Sequence, residues 1–308
     1  MKILIAGELN PDLILQNYQT FPHPGKEVLV EDLLLTLGSS SAICAVGLAR
    51  LGDRVTFAAN VGADTYGDYC LGLLEREGID VSHVNRRADL KTGITVSITS
   101  SKDRALVTYP GAISSLRAED LPKGIFAGYR HFHVSAYFLQ DGLRPGLMEL
   151  FAEARRLGLS TSLDTGYDPS EQWSGELIDT LREVDVFLPN ESEIQGITNR
   201  QDVMDGLRAL DNGHTLVVGK LGPEGCVSLY EGTLIKVEAF PVQVVDTTGA
   251  GDSFDAGFLH AWLRGNPLRD CMRFGAACGA LSTRGLGGTA TQPSEEEAEG
   301  YVHAQAGH

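Results

Sequence analysis

The stretch VVDTTGAGDSFDAGF, residues 244–258, carries the strongest local pattern in this chain of 308 residues. A strand-like run over 242–245 ends, small residues follow at 249–251, and a helix pattern begins at Asp252. Backbone N–H groups converge at such a helix N-terminus, where the partial positive charge favours an anion, and small residues let the backbone approach it closely. The pattern therefore predicts a phosphoryl-binding turn, although by itself it fits a simple N-cap role for Asp252 equally well.

Short apolar runs alternate with helical patterns along the rest of the chain. The runs lie at 2–7, 54–62, 131–139, 159–166, 184–190 and 215–222, and the helical patterns at 41–52, 66–78, 144–158 and 251–265. This alternation predicts βαβ units in an α/β fold, with a doubly wound, mostly parallel sheet covered by helices on both faces. We expect ligands to bind at the carboxyl ends of its strands.

Two segments depart from the alternation. Residues 27–35 and 92–109 show period-two patterning, the second with a polar turn at SSKDR. Such strands predict a small β-sheet, inserted at about 11–36 and 91–110 into one domain of residues 1–308. We expect this sheet to act as a lid over the carboxyl ends of the main strands.

The charge balance restricts the class of partner. The chain has 25 basic and 41 acidic residues, a formal net charge of −16. Nucleic acid and anionic membranes bind surfaces with clustered Lys and Arg, so neither is expected as a partner. A bound phosphate is expected to be held by backbone amides and a metal.

The cysteines and the apolar runs indicate a reducing compartment. The five cysteines form no CxxC pair, which predicts free, buried thiols. No run reaches the roughly 18 to 20 apolar residues of a membrane span, and the apolar run at the N-terminus is too short for a signal peptide. We therefore expect a cytoplasmic protein.

The stretch DTTGAGDSFDAG at 246–257 resembles the C-terminal signature of the ribokinase (PfkB) family of carbohydrate and nucleoside kinases. Similar stretches follow in family order at GELNPD (7–12), PHPGKE (22–27), ARLGDRVTFAANVGADTYG (49–67), TG (92–93), YPGA (109–112), PNESE (189–193) and KLGPEG (220–225). The resemblance runs nearly end to end. It implies a three-layer, ribokinase-like fold with a β-sheet lid and ATP-dependent transfer of a phosphoryl group.

By this resemblance, Asp252 is similar to the catalytic base that accepts the proton of the attacking hydroxyl. Gly249, Ala250 and Gly251, with the amide of Asp252, would form the anion hole for the γ-phosphoryl. A helix N-terminus is expected to lower the pKa of Asp252 and weaken it as a base. Phosphoryl transfer tolerates this, because its loose transition state depends more on positioning and charge stabilisation than on strong deprotonation.

The resemblance also implies sites for Mg²⁺ and ATP. Asn190 and Glu193 match an N-x-x-E motif that organises Mg²⁺ and phosphate, partly through water, as suits an ion that keeps several waters. Lys220, Gly222 and Gly225 resemble the loop along the nucleotide. Residues 276–288, including Cys278, resemble the helix and turn that close the adenine pocket.

The other two aspartates of the opening stretch are given lesser roles. Asp246 resembles the position that braces the anion hole or helps to bind a monovalent cation, and the Thr248 carbonyl with carbonyls of 282–288 could complete a K⁺ site. Asp255 is expected to be structural, as a helix-dipole partner in the first turn.

The acceptor site shows the clearest departure from the family. Asp12 is expected to bind vicinal hydroxyls, with Asn10 beside it. Where the family has G-G-x-x-x-N, this chain has Gly38, Ser39, Ser40, Ser41, Ala42 and Ile43. An apolar side chain thus replaces an amide that would grip sugar hydroxyls.

Several residues near the end of the third run and the lid are also candidates for the acceptor pocket. They are Tyr109, His133, Ser135, Tyr137 and Gln140, although burial within the sheet is the expected role of the histidines. An aromatic face at Tyr109 or Tyr137 would suit a sugar or a base.

These features favour a kinase for a neutral sugar or polyol. A nucleoside kinase is the near alternative. A phosphosugar kinase would need a cationic clamp, for which only Lys91, Lys102 and Arg104 are near. A catalytically silent sugar sensor stays open, whereas no G-x-G-x-x-G follows the first strand, which disfavours a Rossmann dehydrogenase. An exposed lid face could pair two copies in a homodimer.

Overall fold

The computed structural model describes residues 1–18, 20–99, 104–173 and 176–305. Its strands are β1 (Lys2–Ala6), β2 (Pro11–Gln16), β3 (Asp32–Leu37), β4 (Arg54–Gly62), β5 (Asp80–Arg87), β6 (Ile94–Thr99), β7 (Arg104–Tyr109), β8 (His131–Val134), β9 (Ser160–Leu163), β10 (Val186–Phe187), β11 (Leu216–Lys220), β12 (Cys226–Tyr230) and β13 (Thr233–Val237). Its helices are α1 (Ser40–Arg50), α2 (Thr65–Arg76), α3 (Leu147–Arg156), α4 (Glu176–Thr180), α5 (Glu191–Thr198), α6 (Val203–Leu210), α7 (Ala250–Trp262), α8 (Leu268–Ser282) and α9 (Glu295–Ala304).

A nine-stranded sheet forms the centre of the molecule, in the order β13-β12-β11-β10-β9-β8-β1-β4-β5. Strands β5 to β11 of this order pair in parallel, and β12 and β13 add antiparallel strands at one edge. The prediction of a mostly parallel α/β sheet is confirmed. The antiparallel pair β12 and β13 was not predicted.

Helices cover both faces of this sheet, giving three layers. Along β1, Ile3 and Ile5 belong to one hydrophobic core and Leu4 and Ala6 to the other, as expected when successive side chains point to opposite faces. Residues of α1, α2, α7, α8 and α9 fill the first core, and residues of α3 to α6 fill the second. All five cysteines are free and buried, as predicted.

A separate four-stranded sheet, in the order β3-β2-β6-β7, forms the predicted lid. Strand β2 pairs in parallel with β6, and the outer pairs are antiparallel. The strand expected at 27–35 begins only at Asp32. Of the predicted turn at SSKDR, residues 100–103 lie outside the described residues.

Two of the predicted strands differ in the structure. Residues 242–245 form no strand, and Val244 and Val245 are exposed by 55% and 62%. The run over 131–139 ends as a strand at Val134 and continues into a short 3-10 helix at Tyr137–Leu139. None of the helices within the described ranges is long and apolar enough to cross a membrane.

Candidate active site

The glycine turn of the opening stretch forms the start of α7. The helix begins at Ala250, with Gly249 as its N-cap at φ 71°, so Asp252 is the third helical residue and not the N-cap. A Cβ atom on Gly249 would lie 2.8 Å from the Gly288 Cα and 2.9 Å from the Ile43 Cγ2. Only glycine fits this left-handed, crowded position. The N–H groups of the first turn, which lack intrahelical acceptors, start directly behind it.

Asp246 braces this turn. One carboxylate oxygen accepts hydrogen bonds from the Thr248 backbone N–H at 2.9 Å and from its hydroxyl at 2.8 Å. The other accepts a bond from the Gly287 N–H at 2.8 Å. The side chain therefore ties the loop before α7 to the turn after α8, which is the bracing role that the sequence allowed.

A cavity of about 270 Å³ opens between this turn and the lid. The lid contributes three rows of side chains from neighbouring strands, because the register sets Asp12 opposite Thr95 and Thr95 opposite Thr108. The cavity is lined by Glu8, Asn10, Asp12, Ile14, Ser39, Ser40, Ile43, Thr95, Ser97, Leu106, Thr108, Ile113, Leu139, Thr248, Gly249 and Asp252. Candidate base, anion turn and hydroxyl ligands thus share one space.

The loop before α1 forms a second side of the cavity. A Cβ on Gly38 would lie 2.0 Å from the Asp12 Oδ1, so the absence of a side chain at 38 makes room for that carboxylate. Ser39 is the N-cap of α1, and its hydroxyl donates a hydrogen bond to the Glu8 carbonyl. Asn10 is buried, and its side-chain amide donates to the Pro11 carbonyl at 3.2 Å.

The pKa of Asp252 differs from the sequence-based expectation. Burial raises it to about 7, and the charges of Asp164 and Glu8 act in the same direction, whereas Lys220 and a contact with Ser40 lower it. The helix N-terminus was expected to lower this pKa. That prediction is wrong, because desolvation at the end of the cavity outweighs the helix dipole.

Lys220 lies beneath the glycine turn that begins α7, where its amine contacts two acidic side chains. Its Nζ is 2.6 Å from the Asp164 Oδ2 and 2.9 and 3.0 Å from the two carboxylate oxygens of Asp255. A Cβ on Gly251 would be 3.5 Å from the same Nζ. Asp255, expected to serve the helix dipole, is instead a fully buried ion-pair partner of this amine.

The pKa values of the two partners of Lys220 shift in opposite directions. Burial raises the pKa of Asp255, although the Lys220 charge acts against it. Burial opposes ionisation of Asp164, but the Lys220 charge and hydrogen bond outweigh it and hold the pKa of Asp164 below its usual range. The attraction of the carboxylates likewise outweighs burial at the amine and raises the pKa of Lys220. A cation is thus held just behind the first turn of α7.

Asn190 and Glu193 form a capping box at the start of α5. The Asn190 side chain accepts from the Glu193 N–H at 3.0 Å, and Glu193 accepts from the Asn190 N–H at 2.8 Å and from the Thr165 hydroxyl at 3.2 Å. Burial and the nearby Asp164 charge raise the pKa of Glu193 to about 7. Within the described part of the chain, no group of three or more His, Cys, Asp or Glu side chains could hold a metal ion.

Three predicted site residues do not lie where the sequence suggested. Tyr109 is absent from the lining and half-exposed, because strand alternation turns it away from the face to which Thr108 contributes. Tyr137 is fully buried, with its ring packed edge-on against Phe138 at 5.2 Å. Cys278 is 1% exposed and packs against α7. The structure therefore corrects the expected ligand contacts of these three side chains. Tyr137 and Cys278 are packing residues, and Tyr109 lies at the surface.

The remaining candidates have simpler surroundings. Gly222 and Gly225 flank an exposed 3-10 turn after β11, at φ 55° and 91°. His133 is buried, as expected, and hydrogen-bonds to Ser162 at 2.6 Å and Ser135 at 2.7 Å, and burial lowers its pKa to about 4. Gln140 is buried too and contacts Glu8 rather than the cavity.

Two acidic residues near the site were missed by the sequence reasoning. Glu8 lines the cavity, and Asp164 pairs with Lys220. Asp164 directly follows β9 and Glu8 follows β1 by one glycine, so both lie at the carboxyl edge of the sheet, where ligands are expected. That position was a usable signal for both.

A larger surface cleft of about 650 Å³ lies apart from these residues. It is lined by Arg87, Leu90, Ser114, Ser115, Arg117, Glu119, Asp120, Asp141 and Gly142. Its arginines already pair with acidic neighbours, Arg87 with Asp89 and Arg117 with Glu119. It contains none of the candidate residues, so the smaller cavity is the better candidate active site.

The fold and the site together are those of a carbohydrate kinase. The model of the pfkB family of carbohydrate kinases matches residues 1–295, and the chain belongs to that family. It is therefore a phosphotransferase with an alcohol group as acceptor. The chain is 30% identical to the nucleoside kinase of Methanothermobacter thermautotrophicus, across 99% of this chain and 97% of that protein. It is 28% identical to the ribokinase of Haemophilus influenzae, across 96% of each.

Solved structures share the whole fold. The ribokinase of Arabidopsis thaliana, in complex with ribose and ATP, superposes with a TM-score of 0.84 at 22% identity, covering 97% of this chain and 98% of that one. A ribokinase II from E. coli, in complex with ATP and Mg²⁺, gives 0.86 at 20% identity, covering 98% and 99%. At this identity the likeness establishes the ribokinase-like fold.

Proposed function

We propose that the chain is an ATP- and Mg²⁺-dependent kinase that transfers the γ-phosphoryl group to a hydroxyl of a neutral sugar or polyol. The observation that carries this proposal is the shared cavity, which Asp252 and Gly249 line together with Asn10 and Asp12. A candidate base and an anion turn thereby face the same space as side chains suited to sugar hydroxyls.

In the proposed reaction, Asp252 accepts the proton of the attacking hydroxyl while the oxygen of that hydroxyl forms a bond to the γ-phosphorus. The bond from that phosphorus to the bridging oxygen breaks, and ADP leaves. The backbone N–H groups at 249–252 stabilise the negative charge on the phosphoryl oxygens. A pKa of about 7 lets Asp252 be ionised before the reaction and accept a proton during it.

Mg²⁺ bound with the nucleotide would neutralise charge on the phosphates. Asn190 and Glu193 would hold it through water, since the oxygens of Glu193 already accept bonds from Asn190 and Thr165. Lys220 would act from beneath the turn, through its charge.

The lining favours an uncharged acceptor. Among the described residues that line the cavity, Glu8, Asp12 and Asp252 are acidic and none is Lys or Arg. A phosphate already on the sugar would meet repulsion from these carboxylates and no cationic clamp among the described lining residues. Lys91 is exposed and outside the lining; Lys102, and the side chain of Arg104, lie outside the described residues.

A nucleoside acceptor is the second candidate, favoured by the 30% identity with a nucleoside kinase. Against it, the described lining has aliphatic side chains such as Ile14, Leu106 and Leu139 but no aromatic ring on which a base could stack. Coupled ADP release with D-ribose, D-fructose, adenosine and cytidine separates the two. Turnover with nucleosides alone would replace the sugar assignment, and sugar binding without turnover would indicate a silent sensor.

The role of Asp252 is tested by Asp252→Asn. We expect at least a 1000-fold loss of kcat, in line with removal of a base together with its charge, while the Kd for ATP stays within threefold. Asp205→Asn, an exposed change of the same type on α6, is the matched control and should keep full activity. A kcat for Asp252→Asn within tenfold of the unmodified protein would remove Asp252 as the base.

We also propose a homodimer through the outer face of the lid. Leu33, Val107 and Tyr109 are exposed there by 60%, 59% and 50%. Light scattering of the unmodified protein and of Leu33→Lys tests this, with a dimer expected for the first and a monomer for the second. A monomer in both cases would exclude it.

A further inference from the structure

Glu8 is the buried carboxylate of the cavity whose role the proposed reaction leaves open. It follows β1 by one glycine, near the centre of the sheet, and is 3% exposed. It lines the same cavity as Asp12 and Asp252. Its charge is close enough to Asp252 to raise the pKa of that base. Three carboxylates therefore line the space where the acceptor must lie.

The side chain of Glu8 is held by three donors. Its Oε1 accepts from the Ser41 backbone N–H at 3.1 Å, and its Oε2 accepts from the Ser41 hydroxyl at 2.7 Å and the Gln140 side-chain amide at 2.8 Å. Each carboxylate oxygen can accept two hydrogen bonds. Oε2 therefore has both of its hydrogen bonds, whereas Oε1 has one of its two, with the Ser39 hydroxyl and the Glu8 N–H near enough to lower the pKa of the carboxylate.

The cost of burying this carboxylate also points to a ligand. A buried charge normally has an ionic partner, but Glu8 contacts no Lys, Arg or His among the described residues. Burial accordingly raises its pKa, against the effect of the Ser41 bonds. A purely structural link between Ser41 and Gln140 could be made by a neutral side chain without that cost.

We propose that Glu8 is an acceptor-binding residue whose Oε1 accepts a hydrogen bond from a second hydroxyl of the sugar, distinct from the one that Asp252 deprotonates. This rests on the proposed kinase function and deepens it. The acceptor must then carry at least two hydroxyls placed to reach Asp252 and Glu8.

The direct test is Glu8→Met, which keeps the volume but removes the acceptor oxygens. With whichever of D-ribose, D-fructose, adenosine and cytidine the unmodified protein phosphorylates, we expect KM for the acceptor to rise about 10- to 100-fold, as for loss of a hydrogen bond to a charged group. KM for ATP should stay within twofold. Glu149→Gln, exposed on α3, is the control for loss of one negative charge.

A second variant covers failure of Glu8→Met to fold, judged by circular dichroism. Glu8→Gln retains the link to Gln140, whose Oε1 meets no donor among the described residues and can turn to accept from the new amide. We expect KM for the acceptor to rise about tenfold, because the bond loses its charge assistance.

Deoxy analogues of the same acceptor separate a contact from a structural effect. The unmodified protein should disfavour one monodeoxy analogue by 10- to 100-fold in KM, and the Glu8 variants should lose that discrimination. Unchanged acceptor KM, or an equal rise for every analogue, would overturn the role of Glu8 and leave the kinase function standing. No turnover of any panel member by the unmodified protein would overturn both.

Discussion

Replacing Lys220 by methionine removes the cation beneath the anion turn without removing its bulk. The Nζ contacts Asp164 at 2.6 Å and Asp255 at 2.9 Å, and the exposed fractions of the three side chains are 11%, 6% and 0%. Lys220→Met therefore leaves Asp164, an ionised carboxylate that water hardly reaches, without its counter-charge, beside Asp255, whose pKa burial raises. We expect this single change to destabilise the fold.

The expected fall in Tm follows from the burial of the ion pair and from the length of the chain. Breaking a buried ion pair by removing one partner costs about 3 to 5 kcal/mol. An unfolding entropy of about 2.1 cal/mol/K per residue, over 308 residues, amounts to about 0.65 kcal/mol/K. Dividing the lost free energy of unfolding by this entropy predicts that Tm falls by about 5 to 8 °C.

Calorimetry at pH 8 measures this change, and two further variants make it specific. The double variant Lys220→Met/Asp164→Asn removes one charge of each sign, so it should regain at least half of the lost Tm. Lys236→Met is the matched control, because Lys236 is 52% exposed and its ion pair with Glu224 spans 3.7 Å. Such surface pairs contribute about 1 kcal/mol or less, which corresponds to less than about 2 °C.

Two results would refute this reasoning. If Lys220→Met melts within about 2 °C of the unmodified protein, the amine does not compensate the carboxylates. If the double variant melts below the single one, the Asp164 charge is not the source of the loss.

Three further predictions concern the turn itself. Because the pKa of Asp252 is raised to about 7, its carboxyl group is largely protonated at pH 6 and largely ionised at pH 8. We therefore expect kcat/KM to rise about tenfold between these two pH values, and a flat profile would contradict this. Gly249→Ala should lower kcat about 100-fold, since its Cβ would lie 2.8 Å from Gly288, whereas Gly265→Ala, at a similar φ of 77° with open space around it, should only lower Tm; equal kcat values would refute the steric argument. Asp246→Asn can accept a hydrogen bond from only one of the two segments that the carboxylate joins, so kcat should fall about tenfold. In the unmodified protein, equal activity in K⁺ and in choline would exclude the K⁺ site expected beside Asp246.

Much of the fold could be predicted from the sequence because its signals are local. Continuous apolar runs and helical periods depend on neighbouring residues, and they located β1, β4, α1, α2 and the lid pair β6 and β7. The run at 242–245 was misjudged because apolar residues in a short loop resemble a strand. The edge hairpin of β12 and β13 lay between the stronger signals and was missed.

The site was only partly predictable for the opposite reason. The turn at 249–251 and Asp252 lie in one continuous stretch, so their pattern was visible. The partners of Lys220 are 35 and 56 residues away in the chain, and nothing in the local sequence pairs them. The orientation of Tyr109 depended on which lid face covers the cavity, and the cavity exists only once the lid is folded over the sheet.

The sequence by itself determined the α/β class and the glycine turn at the start of the helix that carries Asp252, because both follow from the local order of residues. Only the tertiary structure decided the charge environment. Folding brings Glu8, Asp164 and Lys220 close to Asp252 from separate segments of the chain. Loss of water and the charges of Asp164 and Glu8 outweigh the helix dipole and the opposing Lys220 charge. Electrostatic energies depend on distance in space and on exposure to water, and neither is written in the sequence around Asp252.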